Sequence, residues 1–196
     1  MYLIMYIKKG VRVLGIAESF IKGEAKSILV GIVMRRDLII DGVIIDYVTL
    51  GGLDSTDTII RMFNTLSRND INYIMLSGSV ISWFNVIDLN RLYYEINIPV
   101  ISVSYEETEG LLKYFKEYFP RDWLYRYVIH LRNGSRRSLR LSNGMRIFYR
   151  SIGVSRVEAE EVIDRFTLEG KYPEPIRVAR LIARAILKSY KKYIKF

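Results

Sequence analysis

The chain has 196 residues and a formal net charge of +9, half of its residues are hydrophobic, and it contains no cysteine and a single histidine, His130. The apolar content excludes a disordered adaptor, and the missing cysteine excludes disulfides, iron–sulfur clusters, thiolate zinc sites and cysteine nucleophiles. Because one imidazole cannot build a multi-histidine metal site, carboxylates, hydroxyls and arginines are the chemistry left to the chain.

Composition and hydropathy also indicate the growth temperature of the source and the cellular location of the protein. Glutamine and cysteine are both absent, and charged and β-branched residues are abundant, which is typical of a heat-adapted protein. Met1–Ile7 is a short apolar run whose lysines follow it, so we interpret it as a lead-in strand and not as a secretory signal. The longest uncharged run, Ile71–Ile87, is interrupted by polar residues and is shorter than the roughly 20 apolar residues of a membrane span. We expect a cytoplasmic protein without a membrane partner.

The first third of the chain is predicted to form an antiparallel meander. Val11–Ala17, Ile28–Met34 and Asp37–Leu50 are β-branched runs separated by polar breaks. Asp54–Asp57 then precedes apolar residues spaced three and four apart, which predicts an amphipathic helix that ends near Leu66.

The middle of the chain alternates between strand and helix patterns. Asn72–Gly78 and Ile98–Ser104 are short apolar runs typical of buried strands, and the helical segment Asp88–Ile96 lies between them. This order predicts a βαβ unit. Glu106–Tyr118 is predicted as the next helix.

The last part of the chain combines a hairpin with two helices. Arg136–Arg150 contains two strand-like pieces around Asn143-Gly144, a two-residue hairpin signal. Ser155-x-x-Glu158 is a capping box that opens a helix to about Phe166, and Pro173-Glu174-Pro175 opens the final helix, to about Tyr193. The whole order predicts an α/β fold with a mixed sheet and helices on the sheet faces, as in RNase H-like proteins. No repeat or linker divides residues 1–196, which we predict to be one domain.

Arginines crowd one stretch of the chain. Between Arg121 and Arg156 there are nine arginines and one acid, Asp122. Guanidinium groups match phosphate and aromatic rings lie among them, which favours a nucleic-acid interface. The candidate contacts are Arg132, Arg136, Arg137 and Arg140. The alternative is ordinary surface charge paired with acids elsewhere. If the stretch follows a phosphate backbone, charge reversal at Arg136 and Arg137 makes binding less dependent on salt.

The final helix carries a second basic series at near-helical spacing. Its members are Arg177, Arg180, Arg184, Lys188 and Lys195. Arg177 and Arg180 are further candidate contacts for nucleic acid. The alternative is a solvated helix face whose last cations suit the helix dipole.

Six short blocks occur in the same order as in one archaeal family. They are Gly15–Phe20, Gly51–Thr56, Met75–Gly78, Phe84–Asp88, Ile98–Ser104 and Pro173–Ala179. Together they resemble the endonuclease dU family, which is similar in fold to endonuclease V, over about Val11 to Leu187. The resemblance implies an RNase H-like fold. It also implies a DNA-repair nuclease that cuts DNA containing deaminated bases, uracil or hypoxanthine, with Mg²⁺ or Mn²⁺ held by carboxylates.

The chain departs from the family pattern at its acids. The family blocks read Gly-Ile-Asp-Asp, Asp-Gly-Leu-Asp and Leu-Asp-Gly, so three expected acids are replaced by Ala17, Gly51 and Ser77. The histidine that usually follows the Pro-Glu-Pro block is Arg180, which binds phosphate but does not donate a proton near neutral pH. Because a hard cation needs charged oxygen ligands, we expect no cofactor and no ordered magnesium or manganese.

Three acids remain at the matching blocks: Glu18, Asp54 and Asp88. They could form a thinner catalytic site, with Glu18 and Asp54 as the metal ligands if there are any. The alternatives are a solvent-facing strand end for Glu18 and helix N-caps for Asp54, in a box with Asp57, and for Asp88. His130 lies outside the blocks and is interpreted as an ordinary surface or core histidine.

Three functions follow from these observations. The first is a nucleic-acid-binding member of the family, with DNA as the expected partner and with reduced or lost phosphodiester cleavage. The second is an active metal-dependent endonuclease that uses Glu18, Asp54 and Asp88. The third is a non-catalytic protein whose basic surface binds an acidic protein. All three share the same fold, in which Ala17 and Ser77 are neighbours.

Overall fold

The structure is a computed structural model that describes residues 10–107 and 110–193, and the side chains of these residues up to residue 189. The predicted lead-in strand Met1–Ile7 and the basic residue Lys195 lie outside the described residues. None of the described helices combines the length and the apolar composition needed to cross a membrane.

A mixed sheet organises the described part of the chain. Its strands are β1 (Arg12–Ser19), β2 (Lys26–Arg35), β3 (Ile40–Thr49), β4 (Tyr73–Ser77), β7 (Val100–Ser104), β8 (Arg137–Arg140) and β9 (Arg146–Ile152). Among the described residues the sheet has seven strands in the order β3-β2-β1-β4-β7-β9-β8. Two short strands, β5 (Val80–Ile81) and β6 (Asn85–Val86), pair with each other beside it.

The strand directions are those of the predicted fold. β1, β2 and β3 are antiparallel neighbours, β4 is parallel to β1, and β7 is parallel to β4. Ile16 pairs with Leu76, so the residues that follow them, Ala17 near the end of β1 and Ser77 at the end of β4, are neighbours. The meander, the βαβ unit and the RNase H-like arrangement are confirmed.

Helices cover both faces of the sheet. They are α1 (Ser55–Leu66), α2 (Leu89–Ile96), α3 (Leu112–Tyr118), α4 (Trp123–Arg132), α5 (Arg156–Arg165) and α6 (Glu174–Tyr193). Ile59 of α1 and Leu92 of α2 share a core with Leu14 of β1, whereas Ile163 of α5 and Ala179 of α6 share the opposite core. Successive side chains along each strand point to opposite faces of the sheet, so β1, β2, β4 and β7 each contribute residues to both cores.

The start of α6 lies directly on β1 because β1 has a glycine there. A Cβ at Gly15 would come 2.4 Å from the Cβ of Pro175, a distance that no side chain tolerates. The Pro-Glu-Pro block and the first block of the resemblance therefore meet in space.

Two expectations about secondary structure were wrong, and one helix was not predicted. The helix predicted from Glu106 begins at Leu112, because Gly110 has a left-handed φ of 103° that breaks the helical path. The hairpin connection runs from residue 141 to residue 145, so it is longer than the two-residue turn predicted from Asn143-Gly144. Helix α4 was not predicted, because it buries an arginine and exposes Leu124, Leu131 and other apolar residues, the reverse of an amphipathic pattern.

Candidate functional site

A cavity of about 380 Å³ opens where β1, β4 and β7 end, and we call it the strand-end cavity. Phe20, Trp83 and Phe84 give it an aromatic wall. The other functional groups in its lining are Glu18, Ser79, Ser102, Ser104, His130, Arg136 and Arg150. Among the described residues of this lining, Glu18 is the one acid.

The aromatic wall is held in a strained conformation. Ser82, Trp83 and Phe84 have consecutive φ values of 45°, 56° and 69°, in the left-handed region that ordinary side chains avoid. Such residues cost about 1–3 kcal/mol each and persist where surrounding contacts hold them. Here the Gly51 N–H donates to the Ser82 carbonyl at 2.8 Å, and Arg126 donates to the Phe84 carbonyl at 2.8 Å.

Glu18 is a cavity residue and not the solvent-facing strand end considered above. Its Oε1 accepts the N–H of Ser82 at 3.4 Å, and its Oε2 accepts the hydroxyl of Ser27 at 3.3 Å. Burial raises the pKa of Glu18, and the hydrogen bonds from Ser82 and Ser27 and the charge of Arg180 lower it in part. The carboxylate thus supports the strained turn.

The raised pKa of Glu18 predicts how stability changes with pH. Because the folded protein holds the Glu18 proton more tightly than the unfolded chain, this residue lowers stability as the pH rises through its folded pKa. We expect Glu18→Gln to melt at or above the wild-type temperature at pH 7, with a difference that shrinks as the pH falls towards 4. Melting curves across that range check this. A variant that is less stable at every pH contradicts it.

Asp54 does not cap a helix with its side chain, so the predicted box with Asp57 is wrong. Its carboxylate points back to β3 and accepts the N–H and hydroxyl of Thr49, at 3.1 and 2.7 Å, and the amide of Asn85 at 2.8 Å. These contacts stabilise the ionised form, and they lower the pKa of Asp54 even though burial acts to raise it. The side chain joins β3 to the start of β6.

Asp88 is a helix N-cap, as predicted. Its Oδ1 accepts the N–H groups of Asn90 and Arg91 at 3.1 and 3.0 Å at the start of α2. The candidate contact Arg132 is exposed at the end of α4, with its Nη1 3.9 Å from Asp88 Oδ2. Asp88 therefore caps α2 and lies close to a cation at the end of α4.

The positions where the family pattern has acids are occupied differently. Ala17 belongs to the core under α6, and a Cβ at Gly51 would meet the rings of Trp83 and Phe119 at 3.0 and 3.1 Å. Arg180 lies with its guanidinium 5.3 Å from the ring centre of Tyr172. Alanine, glycine and serine stand at the three acid positions, and arginine stands at the histidine position.

Arg126 is not part of an anion-binding surface, although the sequence places it among the crowded arginines. Its side chain is 2% exposed and pairs with Asp122 at 2.9 Å. It donates to the carbonyls of Gly51, Gly52 and Phe84 at 2.7 to 2.8 Å. The guanidinium also lies 3.8 Å from the ring centre of Phe119. Arg126 thus fixes the loop after β3 to the aromatic wall.

The β8–β9 hairpin sorts its arginines onto two faces. Arg140 lies directly opposite Arg146, and the same register places Arg136 opposite Arg150 on the cavity side. Arg137 pairs with Tyr149 on the other face. Both Arg140 and Arg146 are exposed, and neither guanidinium has a hydrogen bond or ion pair with another described residue. We call Arg136, Arg140, Arg146 and Arg150 the arginine face.

The basic series on α6 forms a second positive surface. Arg177 donates to Glu174 at 2.5 and 2.9 Å, so part of its charge is already compensated. Arg177, Arg180 and Arg184 line a smaller cavity of about 190 Å³ beside Tyr172. Like charges three and four residues apart on a helix repel each other, which favours a bound anion.

The chain is similar to known proteins over almost its whole length. The family model described as Endonuclease dU matches residues 9–187. The chain belongs to the endonuclease dU family. A UPF0215 protein of Pyrobaculum calidifontis is 34% identical over 173 residues, which are 88% of this chain and 95% of that protein. A UPF0215 protein of Pyrococcus horikoshii is 30% identical over 194 residues, covering 94% of this chain and 96% of that protein.

Solved structures similar to this member of the endonuclease dU family show the same fold. A protein of unknown function from Archaeoglobus fulgidus has a TM-score of 0.78 and 28% identity, covering 90% of this chain and 98% of its own. Human ENDOV has a TM-score of 0.65 and 14% identity, covering 92% and 86%. Ciona intestinalis endonuclease V, in complex with a DNA containing an inosine, has a TM-score of 0.59 and 16% identity, covering 92% and 87%.

The donor set of this endonuclease dU family member does not fit a divalent cation. Glu18, Asp54 and Asp88 are engaged in three separate hydrogen-bond networks. Among the described residues, no three His, Cys, Asp or Glu side chains come together as a metal-holding group. Hard cations need several converging oxygen ligands, and the described residues do not supply such a set.

Sequence reasoning missed three parts of the strand-end cavity. Trp83 and Phe84 gave no signal because their left-handed backbone has no sequence signature outside glycine. Arg150 was one of nine arginines, and nothing distinguished it from the others before the strand was known. Because residues four apart on a strand point to the same side, Arg150 shares the face of Arg146 in β9. His130 also lines the cavity, a position that nothing in its sequence context indicated.

Proposed function

We propose that this protein binds nucleic acid, with DNA as its partner, and that its phosphodiester cleavage is reduced or lost. The observation that carries the proposal is the arginine face, where arginines stand opposite each other in cross-strand pairs. Like charges directly opposite each other destabilise a hairpin. A polyanion that lies across the pairs removes this repulsion.

The loss of cleavage is proposed from the residues that replace the family's acids. Ala17, Gly51 and Ser77 offer no charged oxygen ligand, and the remaining carboxylates are committed to the fold. A metal-assisted hydrolysis needs those ligands to activate water and to stabilise the leaving oxygen. The candidate catalytic residues Glu18, Asp54 and Asp88 therefore act as structural groups in this proposal.

The finer role rests on the family and on the fold. Ciona intestinalis endonuclease V shares the fold and forms a complex with inosine-containing DNA, which supports DNA as the partner here. Recognition of deaminated bases, in cytoplasmic DNA repair in a heat-adapted archaeon, belongs to the same proposal. So does a single domain over residues 1–196, since one sheet uses strands between Arg12 and Ile152.

Salt dependence of binding tests the proposal. We expect the logarithm of the DNA affinity to fall linearly with the logarithm of salt concentration, by about 0.9 per phosphate contact, because bound cations release counterions. Fluorescence anisotropy with a labelled duplex gives the slope, and an acidic polypeptide is the matched competitor. Preference for the polypeptide over DNA at equal charge would favour a protein partner and contradict the proposal.

A further inference from the structure

The strand-end cavity contains an arginine whose position is fixed by neutral partners. Nε of Arg150 donates to the carbonyl of Gly134 at 2.7 Å, and its Nη1 donates to the hydroxyl of Ser79 at 3.0 Å. Among the described residues no carboxylate forms an ion pair with Arg150, and its Nη2 has no acceptor. Two fixed bonds therefore orient the guanidinium and leave one nitrogen for a ligand.

A second arginine stands beside it. Arg136 donates to the carbonyl of Glu106 at 2.9 Å, and its guanidinium lies 5.0 Å from the ring centre of Phe148. The hairpin register places it opposite Arg150, and burial together with the charge of Arg136 lowers the pKa of Arg150. The positive charges of the two guanidiniums repel each other in this partly buried place, and an anion bound between them would reduce that repulsion.

His130 adds a donor or acceptor to the same cavity. Its Nδ1 is buried and has no hydrogen-bond partner among the described residues. Its ring contacts Phe115 edge to face. Burial, and then the charges of Arg150 and Arg136, lower the pKa of His130 to about 4. The imidazole is therefore neutral at pH 7 in the free protein, and a bound anion would favour its charged form.

We infer that the strand-end cavity binds a phosphate group, held by the guanidiniums of Arg150 and Arg136 with the hydroxyls of Ser79 and Ser102 beside them. A cavity of about 380 Å³ also has room for a sugar or base next to the ring of Trp83. The phosphate belongs to a nucleotide, either free or in a nucleic acid, and the second source rests on the proposed function. Glu18 is the one acid among the described residues of the cavity lining, and its carboxyl already accepts hydrogen bonds from Ser82 and Ser27.

Two residues report on the cavity in the intact protein. His130 is the only histidine, so it gives a single imidazole signal in proton NMR, and Trp83 is the only tryptophan once Trp123 is changed to Phe. We expect inorganic phosphate and AMP, at millimolar concentrations, to raise the pKa of His130 by about one unit or more. They should also change Trp83 fluorescence in the Trp123→Phe variant.

Variants of the arginine test the contact itself. Arg150→Gln should weaken phosphate binding by about tenfold or more, because a hydrogen bond to a charged group is lost. Arg150→Lys should recover part of it. Arg165→Gln is the matched control, since Arg165 is exposed at the end of α5 and lies outside the cavity lining, so phosphate binding should be unchanged. Melting curves confirm that each variant is folded, and the wild-type NMR titration needs no variant.

The source of the phosphate is identified by comparing the His130 and Trp83 responses to three ligands at equal concentration. These are AMP, a short oligonucleotide with a 5′-phosphate, and the same oligonucleotide with a 5′-hydroxyl. A response to any of them that Arg150→Gln removes supports the inference and identifies the source. No response of His130 or Trp83 to any form of phosphate overturns it. If DNA binding keeps its salt slope in that case, the proposed function stands. If phosphate binds and DNA does not, the proposed function fails alone.

Discussion

Arg126→Met is expected to destabilise the protein by about 3–5 kcal/mol, because it leaves Asp122 and three backbone carbonyls without their buried cationic partner. For a chain of this size, that loss lowers the melting temperature by about 6–20 °C, at roughly 2–4 °C per kcal/mol. Thermal melts followed by circular dichroism measure it. In a Trp123→Phe background, where Trp83 is the only tryptophan, its fluorescence should move to longer wavelength as the aromatic wall loosens.

Arg132→Met is the matched control for this change. It lies on the same helix, but its side chain is 61% exposed and its closest carboxylate oxygen, in Asp88, is 3.9 Å away. Exposed positions of this kind usually change stability by less than about 0.5 kcal/mol. Equal melting temperatures for the two variants would mean that Arg126 is not the tie between the loop after β3 and the aromatic wall.

Charge reversal on the arginine face is expected to reduce DNA affinity by about tenfold or more for each arginine, because hydrogen bonds to charged groups are lost. In the double variant Arg140→Glu and Arg146→Glu, the slope against salt should fall by about 1.8, at roughly 0.9 per contact. Stability should hold, since the exchange does not touch the core. Anisotropy titrations at several salt concentrations check both quantities.

Arg137→Glu separates the two faces of the hairpin. Arg137 pairs with Tyr149 on the face away from the cavity, so its reversal should change the slope little. The pair proposed from sequence alone, Arg136 and Arg137, spans both faces and would mix the two effects. If the slope falls as much for Arg137→Glu as for the double variant, phosphate contacts are not confined to the arginine face, and the account is contradicted.

The sheet and its helices could be predicted because their apolar spacing matches the period of each element. The meander, the βαβ unit and the start of α6 at Pro173–Pro175 all follow from local patterns that agree with the final packing. Helix α4 could not be predicted in this way. Its buried face carries Arg126, whose carbonyl partners lie 42 to 75 residues away along the chain.

The candidate site was predictable in composition but not in arrangement. The replacement of acids by Ala17, Gly51 and Ser77 is visible in the sequence, and so is the crowding of arginines. The direction of the Asp54 carboxylate is not visible, because Thr49 and Asn85 compete successfully with the helix N-terminus for its oxygens. Which arginines share a face depends on a strand register that only the folded hairpin defines.

One measurement tests the central claim, that this member of the endonuclease dU family binds DNA without cutting it. Wild-type protein is incubated with uracil- or hypoxanthine-containing duplexes and Mg²⁺ or Mn²⁺, and each sample is split between a native gel and a denaturing gel. The account predicts a shifted complex on the native gel and intact strands on the denaturing gel. Metal-dependent cut strands that disappear in Glu18→Gln would contradict it.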